Sequence, residues 1–96
     1  MKDLIDLNRL GEFWREKRKL AGLTQRYVSK QFNYTSPQFV SNWERGLIAP
    51  PMKTAVSLIK LYDVCPCEGY RTYIEAIDEE LRSAFGVSKK DSVLRI

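Results

Sequence analysis

Proline, glycine and asparagine interrupt this sequence at short intervals, and the segments between them carry apolar residues at helical spacing. Threonine or proline stands near the start of several segments, and glycine or asparagine follows their ends, which is the usual pattern of helix starts and stops. No segment shows the alternation of polar and apolar residues, or the Asn-Gly turns, that would indicate a sheet. The sequence therefore predicts an all-α fold of about five helices.

The bounds of these helices follow from the local signals. Helix 1 ends near Gly22, and Asn33, which tolerates a left-handed backbone, ends helix 2. Thr24 is the expected N-cap of helix 2, and Ser36 that of helix 3, with proline at its first position. Tyr27, Val28 and Phe32 are expected to be buried. The predicted helices are 7–20, 25–32, 37–45, a fourth opened by Pro50-Pro51, and 70–85 after a break at 65–69. Residues 87–96 have no helical pattern, and 92–96 could form a short strand or a tail.

The composition argues against several classes of protein. The chain is 44% hydrophobic and 29% charged, which is typical of a globular domain, and no apolar run approaches the roughly 20 residues that span a bilayer. Acidic residues stand where a signal peptide would be apolar, so a cytoplasmic location is expected. The sequence has no histidine, the commonest metal ligand and general base. Cys65 and Cys67 alone cannot complete a tetrahedral zinc site. We therefore expect no enzymatic activity, no metal and no cofactor.

Charge is distributed unevenly along the chain. Residues 1–60 hold eleven basic and five acidic side chains, a net of +6, whereas residues 61–96 hold five and seven, a net of −2. A basic segment followed by an acidic one suggests a polyanion-binding module joined to a segment with another task. On charge alone, two solvated surfaces explain the pattern equally well.

Helix 3 has two different sides. At about 100° per residue, its large apolar side chains, Phe39, Val40, Trp43 and Leu47, share one side, and Glu44 lies at the margin of that side. The opposite side carries Gln38, Ser41, Asn42 and Arg45. Amide, hydroxyl and guanidinium groups can pair with base edges and phosphates in a major groove, whereas an ordinary solvated side is usually rich in lysine and glutamate.

Several short motifs around these helices form a recognisable set. Leu10-Gly11 and Arg18 lie on helix 1, and Gly22-Leu23-Thr24-Gln25 opens helix 2. Ser41-Asn42-Trp43-Glu44-Arg45-Gly46 closes helix 3, and Pro50 precedes helix 4. With these motifs, the segment 10–64 resembles the Cro/C1-type, or Xre-type, helix-turn-helix family of bacterial and phage regulators. The resemblance implies a lambda-repressor-like bundle, here with an extra C-terminal helix and a short tail.

The resemblance also implies roles for particular residues. Gln25 would contact a phosphate and brace helix 3, Gln38 and Asn42 would meet base edges, and Lys53 would reach a phosphate. Arg18 and Glu44 would form a structural ion pair. This sequence has one residue more than the family pattern between helices 2 and 3, which can displace the start of helix 3. The full set of expected DNA-binding residues is Gln25, Ser36, Pro37, Gln38, Ser41, Asn42, Arg45 and Lys53.

Helix 5 carries an apolar stripe that is longer than a four-helix domain needs to cover. We therefore expect residues 1–64 to be the DNA-binding domain and 65–96 to be an extension for dimerisation or partner binding. The stripe could also fold back onto its own chain. The expected dimer contacts are Tyr73, Ile74, Ile77, Leu81 and Phe85.

These observations predict a sequence-specific double-stranded DNA-binding transcriptional regulator, a repressor that binds a pseudo-palindromic operator as a homodimer. An alternative stays open, in which the chain is an antitoxin or a protein-partner adaptor. Its helix-turn-helix would then serve autoregulation, and the C-terminal helix would hold the protein partner.

Overall fold

The computed structural model describes residues 6–87 and contains five helices and no strand in that range. The prediction of an all-α fold is therefore confirmed, whereas the suggestion for residues 92–96 lies outside the described residues. Within residues 6–87, no helix has the continuous apolar length that a membrane-spanning segment requires. The helices are α1 (Leu7–Leu20), α2 (Gln25–Gln31), α3 (Gln38–Glu44), α4 (Met52–Leu61) and α5 (Pro66–Phe85).

Local capping explains most of these bounds. The side chain of Asp6 accepts a hydrogen bond from the Arg9 backbone amide at 3.0 Å, and the Thr24 hydroxyl accepts one from the Tyr27 amide at 3.0 Å. Both residues are therefore N-caps that satisfy an otherwise free amide of the first turn. Asn33 follows α2 with φ 60°, the left-handed conformation that the sequence predicts there. Asp63 adopts the same conformation after α4, although no local sequence signal predicts it there.

Helix α5 begins at Pro66, so the predicted break over 65–69 and the predicted start at Tyr70 are wrong. Cys65 is the N-cap and Pro66 occupies the first turn, where its missing amide is not needed. Gly69 lies within the helix and is buried. A Cβ there would come within 2.6 Å of the Ile59 side chain. This glycine therefore permits close packing against α4 rather than ending a helix.

Two other expectations also differ from the structure. Helix α3 begins at Gln38 with Pro37 as its N-cap, so the assignment of Ser36 as N-cap is wrong by one residue. The Ser36 hydroxyl instead accepts a hydrogen bond from the Gln38 amide at 3.3 Å. Tyr27 is 47% exposed and is not part of the buried side of α2. The Ser36 hydroxyl thus still satisfies an amide of the first turn of α3, and the buried side of α2 consists of Val28 and Ser29.

The core lies where the helices meet, and Trp14 of α1 is at its centre. The Trp14 ring makes edge contacts with Phe13, Tyr62 and Tyr73, with centroids 5.0, 6.3 and 6.2 Å away. Burial raises the pKa of Tyr62, and the nearby carboxylate of Glu44 raises it further. Helix α1 contacts both α3 and α5, and α2 contacts α3. The buried apolar cluster contains Phe13, Trp14, Val28, Val40, Trp43, Ala55, Leu58, Tyr62 and Val64.

Gly11 allows α1 to lie directly against the end of α3. A Cβ at this position would come within 2.5 Å of the Glu44 carbonyl oxygen and 2.8 Å of the Trp43 carbonyl oxygen. Because both neighbours are backbone atoms, no side-chain rotation could relieve such a contact. The glycine in the Leu10-Gly11 motif therefore fixes how closely α3 is held to the rest of the domain.

Ser29 of α2 offers a test of this packing. The residue is 1% exposed, and its hydroxyl has no hydrogen-bond partner within residues 6–87. A buried polar group without a partner costs about 1–3 kcal/mol. We expect Ser29→Ala to raise the free energy of unfolding by about 1 kcal/mol, measured by chemical denaturation. Ser57→Ala, at an exposed site on α4, should change it by less than about 0.5 kcal/mol. A clear loss of stability in Ser29→Ala would contradict the prediction.

Candidate nucleic-acid interface

Helix α3 is held by its apolar side and presents its polar side outward. Val40 and Trp43 are buried against the core, whereas Gln38 and Arg45 are exposed. Ser41 and Asn42 are half-buried, between these two sides. This division matches the two sides that helical spacing predicts, with two exceptions. Leu47 follows the end of α3 and is 58% exposed, and Phe39 is described below.

Gln38 and Asn42 form a connected pair of amides on this outward side. The Gln38 side-chain nitrogen donates a hydrogen bond to the Asn42 side-chain oxygen at 2.8 Å, one helical turn away. Each side-chain amide carries two N–H donors and an oxygen that can accept two hydrogen bonds. The bond uses one N–H of Gln38 and one lone pair of Asn42, so the Gln38 oxygen and both N–H groups of Asn42 remain for another molecule. The two side chains therefore restrain each other and still offer acceptors and donors.

A buried polar network holds the end of α3 to α1 and α2. Arg18 Nε donates to Glu44 Oε2 at 2.6 Å, and Arg18 Nη2 donates to Glu44 Oε1 at 3.1 Å. Arg18 Nη1 also donates to the Leu23 carbonyl oxygen at 2.8 Å. The Arg18 and Glu44 side chains are only 11% and 3% exposed. Hydrogen bonding to Glu44 raises the pKa of Arg18. Such a two-point contact with little exposure fixes both position and orientation.

Gln25 belongs to the same network. Its side-chain nitrogen donates to Glu44 Oε1 at 3.0 Å, which links the first turn of α2 to the last turn of α3. The family resemblance implies a bracing role for Gln25 but does not name Glu44 as its partner. No spacing rule relates two residues on different helices, so the sequence offers no signal for this bond.

The other expected DNA-binding residues surround α3. Ser36 and Pro37 lie in the turn just before it, and Arg45 caps its C-terminal end. Lys53 is exposed in the first turn of α4. The expected set thus consists of the start of α2, the turn, the outward side of α3 and the start of α4.

Phe39 is placed differently from its position on the helical wheel. The residue is 52% exposed, although the spacing assigns it to the buried side. The ring lies 4.5 Å from the ring of Tyr34, centroid to centroid, with 30° between their planes. Tyr34 in turn contacts Phe32 and Trp43 at 6.1 and 6.0 Å. Four aromatic residues within 32–43 are the sequence signal that could have revealed this cluster.

The expected dimer contacts on α5 fall into two groups. Tyr73 packs against Trp14 of the same chain, and the neighbouring Ala76 is fully buried. Part of the stripe therefore folds back onto α1. The remaining residues are open: three are half-buried, and Phe85 is 78% exposed. They line an apolar groove bordered by Asp78 and Arg82 and made of Ile74, Ile77, Leu81, Phe85 and Val87.

Cys65 and Cys67 lie at the start of α5, and both are exposed free thiols. Backbone amides of Cys67 and Glu68 lower the pKa of the Cys65 thiol, as expected for an N-cap residue. In the described part of the chain, no cluster of three or more cysteine, aspartate or glutamate side chains could hold a metal ion.

Comparison with known proteins adds one finding. A family model described as "Helix-turn-helix" matches residues 15–68, which is more than half of the chain. The match contains every expected DNA-binding residue and ends just after the start of α5. No curated protein and no solved structure matches the chain.

Proposed function

This chain belongs to the Cro/C1-type helix-turn-helix family of DNA-binding regulators, and we propose that it is a repressor that binds a pseudo-palindromic operator as a homodimer. In this proposal α3 lies in the major groove and reads the sequence. The observation that carries it is the connected pair Gln38 and Asn42 on the outward side of α3.

The chemistry of this pair favours base reading. Adenine presents an acceptor, N7, and a donor, the N6 amino group, at its major-groove edge. The N–H groups of Asn42 and the side-chain oxygen of Gln38, which their mutual bond does not use, complement that edge. Restraint of both side chains by their mutual hydrogen bond reduces the conformational entropy that binding would otherwise cost. The proposal is therefore that these two residues select adenine within each half-site.

Charge supports the same orientation toward DNA. Arg45 at the end of α3 and Lys53 at the start of α4 are exposed basic residues on either side of the connecting turn. Acidic residues are concentrated instead on α5, which carries Glu75, Asp78, Glu79 and Glu80. A polyanion is attracted to the former surface and repelled by the latter.

Dimerisation through α5 completes the proposal. The open part of its apolar stripe, Ile74, Ile77, Leu81 and Phe85, is only partly covered within the range 6–87 and lines an apolar groove. A twofold dimer could place two copies of α3 about 34 Å apart, which is one turn of the duplex. Two half-sites would then add their binding energies.

Substitutions on α3 and α4 test the reading surface. The operator is first obtained by selecting bound sequences from a random duplex pool. We expect Asn42→Ala and Gln38→Ala each to weaken operator binding by about 1–3 kcal/mol and to leave binding to random duplex nearly unchanged. Lys53→Ala should weaken both alike and lower the salt slope by about one unit.

The comparison with random duplex is the internal control of that experiment. Lys60→Ala, two turns further along α4, is a matched control that should change the salt slope less than Lys53→Ala does. Equal losses on operator and random duplex for Asn42→Ala would contradict the assignment of α3 as the reading helix.

A further inference from the structure

Phe39 is a large apolar side chain in an unexpected place. It lies on α3 directly after Gln38 and one turn of the helix before Asn42. About half of the residue is exposed. In the wheel it lies about 60° from Asn42. Leaving this much apolar surface in water gives no stability to the folded domain. Packing within the domain therefore accounts for the buried part of Phe39, but it does not account for the part that is exposed to solvent.

The ring is held in place by a chain of aromatic contacts. Tyr34 lies 4.5 Å from Phe39 and itself contacts Trp43, which is buried. Aromatic pairs at this distance contribute to stability beyond their buried area. Tyr34 lies in the turn between α2 and α3. Phe39 is thus fixed at the edge of the reading surface.

The chemistry of the major groove limits what such a ring can contact. A phenyl ring has no donor, acceptor or charge, so it cannot replace the hydrogen bonds made by Gln38 and Asn42. The apolar group that distinguishes one base from another in this groove is the 5-methyl group of thymine. The deoxyribose is the other apolar surface nearby, but it is the same at every nucleotide.

We propose that Phe39 is a third specificity residue of α3 and selects thymine by contact with its 5-methyl group, with Tyr34 as the positioning residue. This inference rests on the proposed function. It extends that function by adding a thymine to the adenine selected by Gln38 and Asn42. Phosphate contacts then position the helix, and the three side chains read the base edges.

Replacing thymine by uracil tests the contact directly, because it removes the methyl group and leaves base pairing unchanged. The probe is the duplex selected from the random pool, with each thymine of one half-site replaced in turn by uracil. At one position we expect the wild-type affinity to fall about fourfold, which corresponds to burial of a single methyl group. Phe39→Ala should bind the thymine and uracil duplexes equally well.

Further variants distinguish a loss of thymine recognition from a loss of the folded structure. Phe39→Leu should keep part of the preference for thymine, because leucine is also apolar. Tyr34→Ala should reduce the thymine preference while the loss on changing the adenine position stays as in the wild type. Circular dichroism of each variant confirms that it is folded before binding is measured, and Phe39→Leu serves if Phe39→Ala does not fold.

The outcomes distinguish this inference from the proposed function. An enriched site in which no thymine is sensitive to uracil would overturn the thymine contact alone. A Phe39→Ala variant that keeps the wild-type preference for thymine over uracil would also overturn the thymine contact. The Phe39 ring of the wild type would then lie against the sugar and not against the methyl group. A pool in which no sequence is enriched would overturn the proposed function, and the thymine contact with it.

Discussion

Replacing Glu44 by alanine is expected to lower the free energy of unfolding by about 3–5 kcal/mol. The change leaves the Arg18 guanidinium, which is 11% exposed, without the carboxylate that it contacts at two points. Gln25 loses its acceptor at the same time. A small domain has a total stability of about 5–15 kcal/mol, so chemical denaturation should show that much of it is lost.

An exposed ion pair provides the control for Glu44. Glu79 contacts Arg9 at 3.2 Å, but the two side chains are about half exposed. Glu79→Ala should therefore cost no more than about 1 kcal/mol. If Glu44→Ala does not fold, Glu44→Gln keeps the shape of the side chain and should show a smaller loss. A stable Glu44→Ala that has lost only its affinity for DNA would show that the pair is functional rather than structural.

The second large effect is expected at the open part of α5. Leu81→Asp places a charge in the apolar groove, and burial of an unpaired charge opposes association. We expect the wild type to sediment as a dimer at micromolar concentration and Leu81→Asp to sediment as a monomer. A dimer binds two half-sites at once, whereas a monomer binds only one. The operator affinity of Leu81→Asp should therefore be roughly 10²- to 10⁴-fold lower than that of the wild type.

Ser83→Asp is the matched control for this experiment, because Ser83 lies about 200° from Leu81 on the same helix and is exposed. It should stay dimeric and bind the operator like the wild type. Ile77→Asp is a second variant that should behave like Leu81→Asp. A monomeric wild type, or aspartate variants that remain dimeric, would contradict the α5 dimer. Either result would favour the alternative in which this groove binds a different protein.

Much of the fold could be predicted because its signals are local. Thr24 is an N-cap in the structure, because its hydroxyl can accept a hydrogen bond from an amide of the first turn. Asn33 has a left-handed backbone after α2, because asparagine tolerates this conformation better than most residues. The spacing also places Val40 and Trp43 on the buried side of α3. The family motif then identifies the domain, because it combines several such local features at fixed separations.

The start of α5 shows the limit of these signals. The local sequence predicts that Gly69 breaks a helix. In the structure Gly69 lies within α5 and lets this helix pack close to Ile59 of α4. A glycine has the same local propensity in either case. Only the neighbouring helix determines which of the two uses applies.

By itself, the sequence determined the number of helices, most of their ends and the polar character of one side of α3, because these depend on residues within a turn or two of each other. Only the tertiary structure decided which groups meet between helices. It joined Gln25 to Glu44, covered one part of Phe39 with Tyr34 and left the other open, and folded Tyr73 onto Trp14 while Phe85 stayed exposed. A side chain's exposure depends on what the rest of the chain places against it, and periodicity along one helix carries no information about that neighbour.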